Sequence, residues 1–206
     1  MTLSVTNSSL TAYSSPFTEE EKNEIENPLL VGLRDMRLKY MHEQMIKDPA
    51  VKLKLANSYA GIANYWKFFD GETKQLVKYK VFDQKRAIEQ QFQKWANGKQ
   101  PYETILKDWE KTYAAWRPYS KHRVYINEGI LGSPLLAFAA SLQQLENAMV
   151  KQGGSAAIKA ATENANAAWE EFIKGENIAS DKNIVAAVLL SYYTNVDKSQ
   201  HPISFF

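Results

Sequence analysis

The chain has 206 residues, of which 45% are hydrophobic, so it can form one domain or two small ones around a sizeable core. Its net charge is +2, and Lys and Arg are interleaved with Asp and Glu, which argues against a nucleic-acid surface. The absence of cysteine excludes disulfides, thiol catalysis and cysteine-based metal sites. There is no apolar run of the ~20 residues that a membrane span needs. No signal peptide is apparent, which at this point fits either a cytoplasmic protein or a piece of a larger one.

The first segment, residues 1–18, is rich in Ser and Thr, contains Pro16 and lacks helical periodicity. We expect it to be a connector or the remnant of a strand. Asn27-Pro28 has the pattern of a helix N-cap followed by proline at the first helical position. It predicts a helix that continues to Lys47.

A second helix is predicted from Asp48-Pro49, where the pattern of cap and proline recurs. We expect this helix to run to about Phe69. Asp70-Gly71 predicts a break or kink, after which a third helical segment should follow.

The rest of the chain also has helical patterns, and it has no useful period-2 alternation. We therefore predict an all-α fold, an antiparallel bundle of long helices, with the helical domain over residues 19–196 and a loose tail over residues 197–206. Further helix boundaries are expected at Asn97-Gly98, Gln100-Pro101, Pro118, Gly129, Gly132, Pro134 and Gly153-Gly154, with helices over Ala156–Ile173 and from a cap at Ser180-Asp181 to about Tyr193.

The sequence offers no constellation for autonomous catalysis. His42, His122 and His201 have no histidine or carboxylate partner at the helical spacing of a metal site. Gly132-Ser133-Pro134 is similar to the end of a serine-protease nucleophile loop, but the glycine-rich approach before it is missing, so a turn is the better interpretation. No phosphate-binding or dinucleotide motif is present. We expect no metal, no cofactor and no catalytic residue in this chain.

The second predicted helix has two contrasting sides. An apolar stripe, which we expect to be core, recurs at helical spacing. The opposite side, here called the Asn/Gly face, could be solvated, could allow a close helix crossing at Gly61, or could present amides to a ligand, because Asn both donates and accepts hydrogen bonds. The apolar stripe consists of Val51, Leu55, Tyr59, Ile62, Trp66 and Phe69, and the Asn/Gly face of Asn57, Ala60, Gly61, Asn64 and Lys67.

The segment KLANSYAGIANYWKFFDGETKQL, residues 54–76, resembles the helical domain of the bacterial serine dipeptidyl-peptidases of the dipeptidyl-peptidase 7 and 11 type. The preceding MRLKYMHEQMIKDPAVKLK and the following VFDQKRAIEQQFQKWA fit the same pattern, so the resemblance is most specific over residues 36–96. TNSSLTAY, residues 6–13, is similar to the segment through which the family's chain leaves its first β-barrel, although Ser8-Ser9 depart from the family pattern there.

This resemblance implies that the chain is the helical cap inserted into a double β-barrel serine peptidase, which releases dipeptides from peptide N-termini. The catalytic triad would then lie in the barrels, outside this chain, and residues 1–18 would be the connector from the first barrel. By position in the motif, Asn64 would hold the α-amino group of the substrate, with Asn57 as the alternative.

The implied partners are the peptide substrate and the β-barrel domains of the same chain, with no nucleic acid and no membrane span. A periplasmic or secreted location is implied as well. A homodimeric parent stays open, as does the P1 specificity, acidic or hydrophobic. The alternative function is a free-standing helical binding or scaffold module without catalytic activity.

Overall fold

A computed structural model describes residues 15–150 and 154–202 of the chain. Its first helical run begins earlier than the sequence suggested. Helix α1 is Pro16–Glu21, and the Ser15 hydroxyl caps it by accepting a hydrogen bond from the Thr18 N–H at 3.3 Å. Of the connector predicted over residues 1–18, the first 14 residues lie outside the described residues, and the last three are helical.

The N-cap predicted at Asn27 is wrong, because the helix runs through this position. A π-helical segment, Lys22–Glu26, joins α1 to α2, which is Asn27–Met45. There the Asn27 N–H donates to the carbonyl of Lys22, five residues earlier. This shift of the hydrogen-bond ladder lies just before Pro28, whose missing N–H and bulky ring disturb a regular α-helix. The Asn27 side chain donates to Glu72 Oε2 at 3.0 Å instead of capping.

Helix α3, Pro49–Lys78, begins where the sequence predicted, and the Asp48 side chain accepts a hydrogen bond from the Ala50 N–H at 2.8 Å. The break predicted at Asp70-Gly71 is wrong, since the 30-residue helix continues through it. The chain turns at Lys80, which has a left-handed φ of 48°, and α4 follows over Val81–Ala96.

The later helices follow the predicted order, but several of their boundaries differ. The predicted stop at Asn97-Gly98 is confirmed, with Gly98 at a φ of 72°, but the next helix begins after Gln100-Pro101 rather than at it. Gly129 lies inside a π-helical segment instead of interrupting a helix. The elements are α5 Ile105–Trp116, a 3₁₀ turn Arg117–Tyr119, α6 Ser120–Val124, the second π-helical segment Tyr125–Ile130, α7 Pro134–Ser141, α8 Gln143–Val150, α9 Gly154–Gly175, α10 Ile178–Asn195 and a 3₁₀ turn Lys198–Gln200.

The last long helix has a different cap from the one predicted. The side chain of Asn177, rather than Ser180-Asp181, caps α10 by accepting a hydrogen bond from the Ser180 N–H at 2.9 Å. The start of the segment predicted to be a loose tail is packed, because the buried His201 ring lies within hydrogen-bond distance of the Val196 carbonyl, Nε2 to O 3.0 Å. Gly153 and residues 203–206 lie outside the described residues.

The core is built where α2, α3, α10 and the second π-helical segment meet. The short turn between α2 and α3 makes these two helices antiparallel, and they form the largest helix–helix contact. The all-α fold is confirmed for the described residues, which contain no strand. In the same part of the chain, no helix has the length and apolarity that crossing a membrane requires. The buried hydrophobic cluster consists of Leu33, Met41, Met45, Leu55, Val124, Tyr125, Ile184, Val188, Tyr192 and Val196.

Candidate functional site

The two sides of α3 are separated as the sequence predicted. Each member of the apolar stripe is buried or half-buried, and Leu55 has no exposed surface. Each member of the Asn/Gly face is exposed. Helix geometry alone accounts for this separation, because residues at i, i+3, i+4 and i+7 share a side, and the apolar side packs against α2.

Gly61 lies in open space. A Cβ atom built on Gly61 would have no neighbouring heavy atom within 4 Å. The close helix crossing that we considered at this position is therefore not formed by the described part of the chain. A glycine in the middle of a helix costs about 0.5–1 kcal/mol relative to alanine, so α3 carries this cost without any contact that requires it.

Asn57 and Asn64 point away from the core on the same side of α3. Both are exposed, and neither side chain forms a hydrogen bond to another described residue. Seven residues separate them, which corresponds to about 10 Å along the helix axis and almost the same direction around it. Two exposed apolar side chains flank the pair on the same side of α3: Leu53, one turn before Asn57, has 81% of its surface accessible, and Phe68, one turn after Asn64, has 58%. The two amides can thus offer hydrogen bonds between two exposed apolar side chains.

A cluster of charged side chains joins Asp181 of α10, Glu176, Arg37 of α2 and Lys54 of α3, and sequence reasoning missed it. Burial raises the pKa of Asp181 to about 7; neighbouring Glu176 adds to the shift, whereas Arg37 and Lys54 oppose it. Burial also raises the pKa of Glu176 and lowers the pKa of Arg37. Asp181 Oδ2 is buried and has no hydrogen-bond partner among the described residues.

A second buried charge, Glu128, lies between two arginines of α2. Its carboxylate is 2.7 Å from Arg34 Nη2 and 3.6 Å from Arg37 Nη1. Burial raises the pKa of Glu128, while the two arginines oppose the shift. No spacing along one helix could have revealed this site, because Glu128 lies 94 residues after Arg34.

The residues that were weighed as catalytic candidates have structural roles. The buried Ser133 hydroxyl caps α7 by accepting a hydrogen bond from the Leu136 N–H at 3.3 Å. His122 Nδ1 lies 2.9 Å from the hydroxyl of Tyr192, a core residue of α10. Within residues 15–150 and 154–202, no group of three side chains is arranged to hold a metal ion.

Comparison with known proteins gives one consistent result. A protein-family profile described as Peptidase S46 matches residues 9–205. The chain is 34% identical over 182 residues to an Asp/Glu-specific dipeptidyl-peptidase of Flavobacterium psychrophilum, a match that covers 86% of this chain and 25% of that protein. It is 32% identical over 123 residues to the dipeptidyl-peptidase 7 of Porphyromonas gingivalis, which covers 58% of this chain and 17% of the relative.

The fold also matches a solved structure. The crystal structure of Porphyromonas endodontalis DPP11 in complex with the dipeptide Arg-Glu superposes with a TM-score of 0.75 at 20% identity, over 93% of this chain and 28% of that one. The chain thus spans about a quarter of the length of the relatives that match most of it.

Proposed function

Because this chain belongs to the peptidase S46 family, we propose that it is the helical cap domain of a serine-type dipeptidyl-peptidase that releases dipeptides from the N-termini of peptides. The catalytic triad lies in β-barrel domains outside this chain, and the cap covers the cleft between them. The side chain of Asn64 accepts a hydrogen bond from the α-ammonium group of the peptide. The parent protein works in the periplasm or outside the cell.

The observation that carries this proposal is the open Asn/Gly face on a helix whose other side is firmly packed. Asn64 is exposed and has no hydrogen-bond partner among the described residues, so its carbonyl oxygen is available to an incoming N–H donor. The apolar stripe beneath it holds α3 against α2. A rigid helix with a free amide on its outer side suits a binding site that must select one end of a peptide.

An amide is a suitable group for recognising an ammonium ion in a cleft. A hydrogen bond to a charged partner contributes about 1.5–3 kcal/mol, roughly twice as much as a neutral one. A neutral amide avoids the large desolvation cost that a second charge would add when the cleft closes. A site built for the α-ammonium group also rejects peptides whose N-terminus is blocked, because its acceptor would then lose its partner.

The proposal concerns the N-terminus of the peptide rather than its following side chains. The relatives that match include both an Asp/Glu-specific dipeptidyl-peptidase and a dipeptidyl-peptidase 7. The matched relatives are all dipeptidyl-peptidases. An enzyme that removes dipeptides must cleave the peptide bond at a fixed distance from the free α-amino group. Asn64 would provide that fixed point.

A chimera tests the proposal directly. The matched segment of the Flavobacterium psychrophilum enzyme would be replaced by this chain, and kcat/KM would be measured on dipeptidyl substrates with free and with acetylated N-termini. We expect Asn64→Ala to lower kcat/KM for the free substrate roughly ten-fold or more, because about 1.4 kcal/mol corresponds to one decade. Acetylated substrates should be little affected, and the chain on its own should show only the buffer rate.

Asn57→Ala is the matched control, since Asn57 is an exposed amide on the same side of α3. If it lowers turnover and Asn64→Ala does not, the site lies one heptad earlier. If neither variant changes kcat/KM in a folded, active chimera, the Asn/Gly face has no role in binding the N-terminus. A folded chimera without activity would argue against the cap role itself.

A further inference from the structure

Arg34 of α2 connects α3 to the second π-helical segment, and this connection bears on the direction in which Asn64 points. Its guanidinium carbon lies 4.7 Å from the centre of the Phe69 ring and 5.3 Å from the centre of the Tyr65 ring, both on α3. On its other side, Nη2 lies 2.7 Å from Glu128 Oε2 in the second π-helical segment. We call these four side chains, Arg34, Glu128, Tyr65 and Phe69, the Arg34 clamp.

The clamp contacts α3 across two successive turns. Tyr65 and Phe69 are four residues apart, and their rings stack with centroids 6.5 Å apart and planes 25° from parallel. A planar guanidinium that lies on both rings resists rotation of the helix about its axis, because such a rotation would lift one or both rings away from it. Tyr65 directly follows Asn64, so the direction of Asn64 is fixed at about 100° from a clamped side chain.

The other end of the clamp has a fixed support. A Cβ atom on Gly129, the residue after Glu128, would lie 2.7 Å from Val188 Cγ1, so this turn of the π-helical segment packs closely against α10. The side chains of Arg34 and Glu128 are only 12% and 16% exposed, so their ion pair is little screened by solvent. Glu128 therefore provides a fixed partner on the second π-helical segment, and Arg34 connects α3 to it.

We infer that Arg34 is a positioning residue for the site on α3. It fixes the rotation of α3 about its own axis, and this rotation directs Asn64 towards the peptide N-terminus. This inference rests on the proposed function. A rotation of about 10° moves a side chain that lies about 5 Å from the helix axis by about 1 Å. A displacement of about 1 Å in a binding site can reduce turnover by up to about 100-fold. The clamp thus controls a geometry to which the reaction is sensitive.

The test uses the chimera and a double-mutant cycle. Arg34→Met removes both the ion pair and the stacked cation, whereas Arg34→Lys keeps a positive charge near Glu128 but loses the planar group. We expect Arg34→Met to lower kcat/KM for free N-termini about ten-fold, Arg34→Lys to have a smaller effect, and acetylated substrates to change little. In an Asn64→Ala background, Arg34→Met should have almost no further effect, because Arg34 acts through Asn64.

Arg123 offers a matched control. Its guanidinium also pairs with a carboxylate, that of Glu26, and lies 5.1 Å from the centre of the Trp116 ring, but neither partner is on α3. Arg123→Met should leave the preference for free over acetylated substrates unchanged. If Arg34→Met and Arg123→Met lower turnover of both substrates alike, or if Arg34→Met and Asn64→Ala are additive, the inference is overturned and Arg34 only supports the fold.

A structural measurement separates this inference from the proposed function. Because the chain has no cysteine, spin labels can be placed at Asn64→Cys and Leu190→Cys, two exposed positions on α3 and α10. We expect Arg34→Met, or Arg34→Lys should Arg34→Met fail to fold, to shift or broaden the distance distribution between the labels. An unchanged distance distribution overturns the inference, whether or not Asn64 contacts the substrate. If the distribution changes but Asn64→Ala leaves kcat/KM unchanged, the Arg34 clamp is upheld and only the proposed substrate contact is overturned.

Discussion

Two leucines on α3 show how different the sides of one helix can be. Leu55 has no accessible surface and belongs to the buried cluster, whereas Leu53, two residues earlier, is 81% exposed. The inner side holds the helix in place through packing, and the outer side leaves amides, a glycine and apolar ends open. The difference teaches that one helix can combine a packed side, which stabilises the fold, with an open side, which under the proposed function binds the peptide.

The two sides also differ in how they carry polarity. On the packed side, between α2 and the second π-helical segment, ionised groups form fixed ion pairs, such as those of Glu128 with Arg34 and Arg37. The open side offers the neutral amides of Asn57 and Asn64. Charges that stay buried need permanent partners, because an unpaired buried ion is costly. A neutral amide can gain and lose its partner at lower cost, as the proposed peptide site would require.

The largest effect is expected from a leucine pair that tests the difference between the sides. Leu55→Ala should lower the free energy of unfolding by about 3 kcal/mol, because it removes buried methyl groups and leaves a cavity. Leu53→Ala should change it by less than about 0.5 kcal/mol. Urea unfolding of the isolated chain, followed by tryptophan fluorescence, measures both. Equal losses would show that α3 is rotated from the orientation described.

The next prediction concerns the buried carboxyl group of Asp181 on α10. Burial raises the pKa of Asp181 to about 7, so the folded chain binds this proton more tightly than the unfolded chain, whose carboxyl has an ordinary pKa near 3.8. The stabilising contribution is therefore complete below about pH 4 and is lost as the pH rises to about 7, with a slope of at most about 1.4 kcal/mol per pH unit.

Asp181→Asn removes this titrating group while nearly keeping its size. Urea unfolding between pH 4 and 8 should show a shallower fall of stability with pH in the variant than in the parent chain, so that the variant gains relative stability as the pH rises. Glu176, whose pKa is also raised by burial, continues to titrate in both proteins. Parallel pH profiles of the two proteins would contradict the assignment of the proton to Asp181.

How much of this could be predicted from the sequence depends on the range of the interactions. The two sides of α3 were predicted correctly, because the direction of each side chain follows from its position along one helix. The cap at Asp48 was also predicted, since a side chain that bonds the N–H two residues later is a local device. These features need no knowledge of distant parts of the chain.

The helix breaks were predicted less well, and the reason is packing. Gly71 is compatible with a helix at a modest cost, and the preceding Asp70 forms an ion pair with Lys74 one turn later, at 2.6 Å. The actual turn lies at Lys80, a residue whose left-handed φ carries no sequence signal. The Arg34 clamp was missed for a related reason, because its members come together only in the folded chain.

A smaller effect is expected from the cap of α3. Asp48→Ala should lower the free energy of unfolding by about 1 kcal/mol, because the N–H of Ala50 loses its acceptor. The measurement is again urea unfolding of the isolated chain. Asp48→Asn is the control, since asparagine caps helices about as well as aspartate and should restore most of the loss. A null result for Asp48→Ala would mean that the start of α3 contributes little to the global unfolding transition.

The smallest effect concerns Gly61, whose cost to the helix has no compensation in the isolated chain. Gly61→Ala should raise the free energy of unfolding by roughly 0.5–1 kcal/mol, because alanine favours the helix and its Cβ meets no atom within 4 Å. Gly71→Ala is a matched control within the same helix, since its Cβ would also meet no atom within 4 Å. Urea unfolding should show a similar gain for both variants.

The assembled enzyme should separate the two glycines. Gly61 lies between Asn57 and Asn64 on the open side of α3, where the proposed cap faces the cleft, whereas Gly71 lies about 15 Å further along the helix axis. If a peptide or barrel segment approaches the backbone at Gly61, the added methyl group should lower kcat/KM of the chimera, and Gly71→Ala should not. A Gly61→Ala chimera that is more stable and fully active would show that no close approach occurs there, and binding by the Asn/Gly face would then depend on its amides alone.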